Sequence, residues 1–192
     1  MHRRVYHLSL VTITLLLSLH PSSSILHLLE SALAQAPTSQ DRKTEADRLF
    51  QQGVHQYRHG QYRKAVATYQ RVLEIRQQLN DKAGIAQTLN NISEVYLGLS
   101  QPDKAEEVLP QALTIRQELK DRAGEGETLD NLSSVYNRKN QYDKALKILQ
   151  QALAIRLEVK DRAGEAKTLR KIGANYADLK QYPKALETLN KP

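Results

Sequence analysis

The sequence predicts an all-α solenoid built from about four antiparallel helix pairs, the last one incomplete. Three observations predict it. First, one stretch recurs at a spacing of 40 residues: 72–96 (VLEIRQQLNDKAGIAQTLNNISEVY), 112–136 (ALTIRQELKDRAGEGETLDNLSSVY) and 152–176 (ALAIRLEVKDRAGEAKTLRKIGANY), the last two identical at 14 of 25 positions. Second, apolar residues inside each copy recur three and four apart, which is one face of an α-helix. Third, small residues hold fixed places in the period: Gly53, Ser93, Ser133 and Gly173 in one helix, Ala65, Ala105, Ala145 and Ala185 in the other. Small side chains let two helix backbones approach, and larger neighbours then fill the grooves.

The chain begins outside this period. Arg3 and Arg4 give a positive start, Leu8–Leu19 is uncharged and mostly apolar, and Ala32-Leu33-Ala34 is a small-x-small pattern before Gln35. That composition is a secretory signal over residues 1–34, which implies export to a periplasmic or extracellular compartment. The alternative is an uncleaved membrane anchor continuing through Ile25–Leu29; the apolar run alone is shorter than the roughly 20 residues a spanning helix needs. Residues 35–44 are polar, contain Pro37 and read as a linker.

The solenoid is expected over residues 45–192, as units 45–84, 85–124, 125–164 and a partial 165–192. The first helix of each later unit carries its apolar face at Leu89, Ile92, Tyr96, then Leu129, Leu132, Tyr136, then Leu169, Ile172, Tyr176. In the first unit Leu49 and Gly53 keep the register and Tyr57 falls one place late. The second helices carry Ala65, Tyr69, Val72, Leu73, then Ala105, Leu109, Ala112, Leu113, then Ala145, Leu149, Ala152, Leu153. Gly60, Ser100, Asn140 and Lys180 mark the turns within units, and Asp81, Asp121 and Asp161 are expected N-caps of the next first helix. Pro102 suits the first turn of its helix, whereas Pro110 lies inside it and predicts a bend. The sequence stops at Pro192, roughly ten residues before the fourth unit's second helix would finish by the period, so a longer parent chain is expected, or a partner at that open end.

Leu, a small residue, Tyr, and then Ala, Leu or Tyr, and Ala at these offsets resemble the tetratricopeptide repeat (TPR). The usual unit is about 34 residues; here it is 40, with the second helix lengthened through Ile-Arg-x-x-Leu-x-Asp. The longer form resembles the repeats of Pins-type adaptors, of kinesin light chains and of exported bacterial TPR proteins, some of which carry a caspase-like (CHAT) peptidase domain. The resemblance implies a right-handed superhelix whose first helices line a concave groove that grips a peptide or partner protein.

Register places four rows on that groove: Asp47, Gln87, Glu127, Lys167; Phe50, Asn90, Asp130, Arg170; Gln51, Asn91, Asn131, Lys171; and Val54, Glu94, Ser134, Ala174. The expected ligand contacts are Asn90, Asn91, Glu94, Glu127, Asp130, Asn131, Lys167, Arg170 and Lys171. An amide side chain both donates and accepts, so it can hold a peptide backbone whatever its sequence. By resemblance to Pins-type repeats, Asn91 and Asn131 stand at the peptide-gripping Asn. The charges are sorted, acidic at Asp47, Glu94, Glu127 and Asp130 and basic at Lys167, Arg170 and Lys171, which suggests a bipolar ligand.

Composition excludes much else. With no Cys, a disulfide framework, a thiolate metal site and a cysteine nucleophile are absent from these residues. The net charge of +7 is scattered among acids and is no nucleic-acid footprint. His55 and His59 have metal-ligand spacing but no third ligand, so neither a metal nor any other cofactor is expected. No P-loop or G-x-S-x-G is present, and the chain reads as an interaction scaffold rather than an enzyme. The alternative is the sensing segment of a longer exported enzyme, a CHAT-type peptidase by resemblance. The partner is a protein or peptide, the membrane is met only through an uncleaved N-terminus, and self-association is open through the C-terminal end.

Overall fold

A computed structural model describes residues 37–190, of which 39–190 belong to one compact unit. The expected segments 1–34 lie outside the described residues. Among the described residues eight helices follow in order: α1 (Ser39–Arg58), α2 (Tyr62–Gln78), α3 (Lys82–Gly98), α4 (Pro102–Glu118), α5 (Arg122–Arg138), α6 (Tyr142–Glu158), α7 (Arg162–Asp178) and α8 (Tyr182–Leu189). The helix α1 starts at Ser39, so residues 39–44, expected as linker, are helical instead. Asp41 in the first turn opposes the positive N-terminal end of the dipole, and Thr44 donates back to the Gln40 carbonyl.

The helices α1 to α7 end in the same way. The residue after the C-cap takes a left-handed conformation at Gly60, Asn80, Ser100, Lys120, Asn140, Lys160 and Lys180. Gln61 N–H then donates to the Gln56 carbonyl and Gly60 N–H to that of Tyr57, and the same pair of bonds recurs at Ser100-Gln101, Asn140-Gln141 and Lys180-Gln181. This double closure satisfies the helix's last carbonyls and offsets the roughly 1–2 kcal/mol that a left-handed non-glycine costs. The next first helix starts at once, because Asp81, Asp121 and Asp161 accept from the N–H of Gly84, Gly124 and Gly164, each at 2.9 Å.

Packing follows the period. Ala65, Ala105 and Ala145 are fully buried, as are Tyr69, Leu109 and Leu149 one turn further on. Each buried leucine contributes about 1.5–3 kcal/mol. In the first unit Gln56, not Tyr57, takes the place that the half-buried Tyr96 holds in the second; it is buried and accepts a hydrogen bond from Thr68. Every helix packs on its sequence neighbours, but only the first helices (α1, α3, α5, α7) also touch one another. The second helices are splayed apart, so the first helices form a concave inner layer. The helix α4 runs unbroken through Pro110, which is exposed. The hydrogen bond that Pro110 cannot donate is lost on the solvent-facing side of the helix.

Candidate functional site

The repeat joints are built first, because they decide which polar residues remain for a ligand. Arg76, Arg116 and Arg156 come from the Ile-Arg-x-x-Leu-x-Asp stretch and are buried. Arg76 Nη1 donates to the Gly84 carbonyl at 2.8 Å and to Thr88 Oγ1 at 3.0 Å, and its Nη2 reaches Asp47 at 3.3 Å. Arg116 pairs with Asp121, and Arg156 with Asp161 at 2.6 Å. The side chain lies against the start of the next first helix, where only glycine leaves room: a Cβ at Gly124 would stand 2.6 Å from Arg116 Cδ. A second layer joins consecutive first helices. Asn90 Nδ2 donates to Thr128 Oγ1 at 3.1 Å, and Thr168 Oγ1 donates to Asp130 Oδ1 at 3.0 Å, while Arg156 Nη2 approaches Asp130 Oδ2 at 3.4 Å.

These joints correct the expected groove. Asn90 and Asp130 are buried between helices, 2% and 0% exposed, and offer a ligand no surface. Their row also contains Phe50, which is core. The fourth member, Arg170, lines a pocket between α7 and α8 beside Leu169, Thr188 and Leu189. Position decides this: the row turns toward the next unit rather than toward the concave axis. Asn91 is half-buried and engaged, its Nδ2 donating to the Gln87 carbonyl and its Oδ1 accepting from the Tyr69 hydroxyl. Asp47 and Gln87 both serve Arg76.

Four expected residues do come together. Glu94, Asn131, Lys167 and Lys171 line one cavity of about 600 Å³ on the concave face, with Tyr57, Tyr62, Leu97, Gly98, Ser134, Asn137, Arg138, Tyr142 and Asp178. All four first helices contribute. Glu127 is exposed and close enough to raise the Glu94 pKa. Burial pushes the Glu94 carboxyl above its ordinary range, and Lys167 and Lys171 work against that rise. Burial lowers the Lys171 ammonium, with Lys167 and Arg156 adding to it and Asp130 and Glu94 opposing. Two of the Lys171 protons are committed, to the Asp130 carbonyl at 2.7 Å and Ser134 Oγ at 3.0 Å. Asn131 is 6% exposed; it faces Glu94 and favours its ionised form, yet its Nδ2 completes no hydrogen bond. Asn137 Oδ1 is likewise buried without a partner.

Residues at the far wall were missed by the four-row reading. Leu97, Gly98, Asn137 and Arg138 sit three and four places beyond Glu94 and Ser134, so extending the rows by one helical turn would have found them. The Tyr57 and Tyr62 rings meet there at 5.7 Å. His55 and His59 are exposed, with rings stacked at 4.0 Å, and among the described residues no three His, Cys, Asp or Glu side chains are grouped to hold a metal. No helix among the described residues is long and apolar enough to cross a membrane.

Comparison with known proteins follows this architecture. The chain is similar in structure to BtubC from P. vanneervenii at 23% identity, covering 78% of this chain and 62% of that one, with a TM-score of 0.69. It is similar to the kinesin light chain-like TPR repeats of Podosopora anserina at 18% identity, over 74% of this chain and 70% of that one, with a TM-score of 0.64. A Rap protein complexed with competence and sporulation factor shares 18% identity over 89% of this chain and 47% of its own, with a TM-score of 0.69. At these identities the likeness is one of fold. Among curated proteins none matches the sequence. The family model described as tetratricopeptide repeat matches residues 49–118, 84–158 and 125–191, and the chain therefore belongs to the tetratricopeptide repeat family.

Proposed function

We propose that the chain is a protein-interaction scaffold whose concave groove holds an extended segment of a partner protein. The observation that carries this reading is a contrast in ion pairing. The arginines at the joints are paired with carboxylates, whereas Glu94, Lys167 and Arg138 line the groove with no ion pair among the described residues. A Rap protein of the same fold has been found in complex with competence and sporulation factor, which supports a ligand-holding role for this architecture. A segment 1–34 read as an export signal would place the scaffold outside the cytoplasm.

The ligand is bipolar, with basic residues toward Glu94 and Glu127 and acidic ones toward Lys167 and Lys171. Fluorescence anisotropy with end-blocked peptides carrying a Lys block and a Glu block tests this. Lys167→Glu should weaken binding at least ten-fold, and Glu127→Lys should weaken it too; unchanged affinity in both variants would sink the bipolar reading. A second reading, the recognition segment of a longer exported enzyme, draws on the chain spanning only 62% of BtubC and 47% of the Rap protein. Intact mass of the protein from its own cells separates the two. Self-association through the exposed Tyr182, Leu186 and Leu189 is opposed by charge in register, because Arg48 holds in α1 the place of Thr128 and Thr168 and would meet Arg170.

A further inference from the structure

The two outer faces of the array differ. On α1, Arg48, Gln52 and His59 are exposed at the places that Thr168, Ile172 and Leu179 hold in α7, where they meet the preceding unit. Such a polar face is what closes a solenoid. The face of α8 is apolar instead. Tyr182, Leu186 and Leu189 share one side of that helix and are 59%, 63% and 52% exposed. One period earlier, Tyr142 is half-buried, and Leu146 and Leu149 are 8% and 0% exposed. The difference is a covering helix: Ile172, Tyr176 and Leu179 of α7 pack over Leu146 and Leu149.

Charge narrows the occupant. At the preceding joints Asn90 and Asp130 bond the threonine of the covering helix, Thr128 or Thr168. The next place in that row is Arg170, which is exposed, and the carboxylate that shares its pocket, Glu165, is paired with Arg162 at 3.0 Å. An arginine only donates, and a charge covered by a helix costs stability unless a counter-charge meets it. We infer that the α7–α8 face docks an amphipathic helix of a partner protein, one that carries Asp or Glu where α7 carries Thr168 and apolar residues four, eight and eleven places on. The apolar stripe seats on Tyr182, Leu186 and Leu189, and the carboxylate on Arg170 fixes its register. A second copy does not fit, because α1 would bring Arg48 to Arg170 with Gln52, Gln56 and His59 at the three apolar places. The stripes of α3, α5 and α7 are already packed inside the array. This face shares no residue with the lining of the concave cavity.

The probe is a labelled peptide of the α7 sequence, residues 161–180, held helical by a side-chain staple and made in three forms: Thr168→Asp, unaltered, and Thr168→Arg. Fluorescence anisotropy with the full chain should show saturable binding of the Asp form, about ten-fold weaker binding of the unaltered form, which lacks the charge-assisted contact, and weaker binding still of the Arg form. Arg170→Asp in the chain should reverse that order, which a merely structural effect would not do. Leu186→Ala should weaken all three forms while the melting temperature of the chain stays in place. Absence of saturable binding by the Asp form, or equal binding of the Asp and Arg forms, overturns the inference. So does displacement by the long end-blocked Lys-block/Glu-block peptide, because the helix would then lie in the groove. Intact mass and sequencing of the protein from its own cells tests the source: a continuation carrying this pattern would seat the helix in cis and overturn a partner, and a chain without it supports one.

Discussion

Asp130 is the residue whose substitution best distinguishes a joint from a ligand contact. Its carboxylate is fully buried, accepts from Thr168 Oγ1 at 3.0 Å and stands 3.4 Å from Arg156 Nη2. Asp130→Ala removes one partner of a buried ion pair, a change that costs about 3–5 kcal/mol. Arg156 keeps Asp161 at 2.6 Å, so the low end applies, about 3 kcal/mol, with the lost acceptor of Thr168 included. Asp130→Asn keeps an acceptor for Thr168 and reproduces the residue that the preceding unit carries, Asn90, whose own bond to a threonine measures 3.1 Å. That variant should cost about 1–2 kcal/mol, the difference between a charged and a neutral hydrogen bond. Urea unfolding at constant m-value measures both, and Asp130→Ala should lower the melting temperature by about 6–12 °C for a domain of this size. Repeats contact only their neighbours, so amide exchange should quicken in α5 to α8 and much less in α1 and α2. A loss under about 1 kcal/mol for Asp130→Ala, or equal losses for Ala and Asn, would refute the assignment of Asp130 to the joint.

Gly124→Ala should destabilise by about 1–3 kcal/mol in thermal melts, because its Cβ would meet Arg116 Cδ at 2.6 Å and the arginine is itself fixed. Leu109→Ala, at a fully buried site, should cost about 2–5 kcal/mol by urea unfolding, while the exposed Leu186→Ala should stay within about 0.5 kcal/mol. Glu94 has a folded pKa raised by burial, so it binds its proton more tightly when folded, and its contribution to stability falls as pH rises from the unfolded value near about 4.3 through the folded one. Glu94→Gln should therefore melt higher than the parent at pH 7, and the difference should vanish below about pH 4.

The helix pairs were legible because one period repeats, and a period fixes register without any knowledge of contacts. The caps at Asp81, Asp121 and Asp161 and the turns at Gly60, Ser100, Asn140 and Lys180 followed from it directly. The groove was legible only in part. A row three residues wide on a helix faces the axis at one edge and the neighbouring unit at the other, and composition does not say which. Asn90 and Asp130 read as ligand contacts because polar residues on a first helix usually meet solvent; here two threonines and an arginine, all distant in sequence, satisfy them in the interior. The role of Arg76, Arg116 and Arg156 was hidden for the opposite reason. A recurring arginine near a helix end suggests an exposed partner for the dipole, but Gly84, Gly124 and Gly164 open the space that lets it turn inward.

That division carries a functional consequence. Where the repeats agree, the arginine packs against the glycine at the start of the next first helix, and the threonines at 88, 128 and 168 bond to Arg76, Asn90 and Asp130 of the preceding unit, so these groups serve stacking. Where they differ, the position decides: Phe50, Asn90 and Asp130 are buried at the joints, whereas Glu94, Ser134 and Lys167 line the concave cavity. A joint accepts variation where the new polar group finds a partner, as Asn90 does in Thr128 and Asp130 in Thr168. Under the scaffold proposal the departures on the concave face carry the ligand preference, and the sharpest of these is the change from Glu94 on α3 to Lys167 and Lys171 on α7. Exchanging the charges, as Glu94→Lys with Lys167→Glu, keeps the cavity's net charge and should reverse the orientation preference of a block-charged peptide. A paramagnetic label at one end of that peptide would report the reversal through relaxation at Tyr57 or Lys171, and an unchanged pattern would show that orientation is set elsewhere.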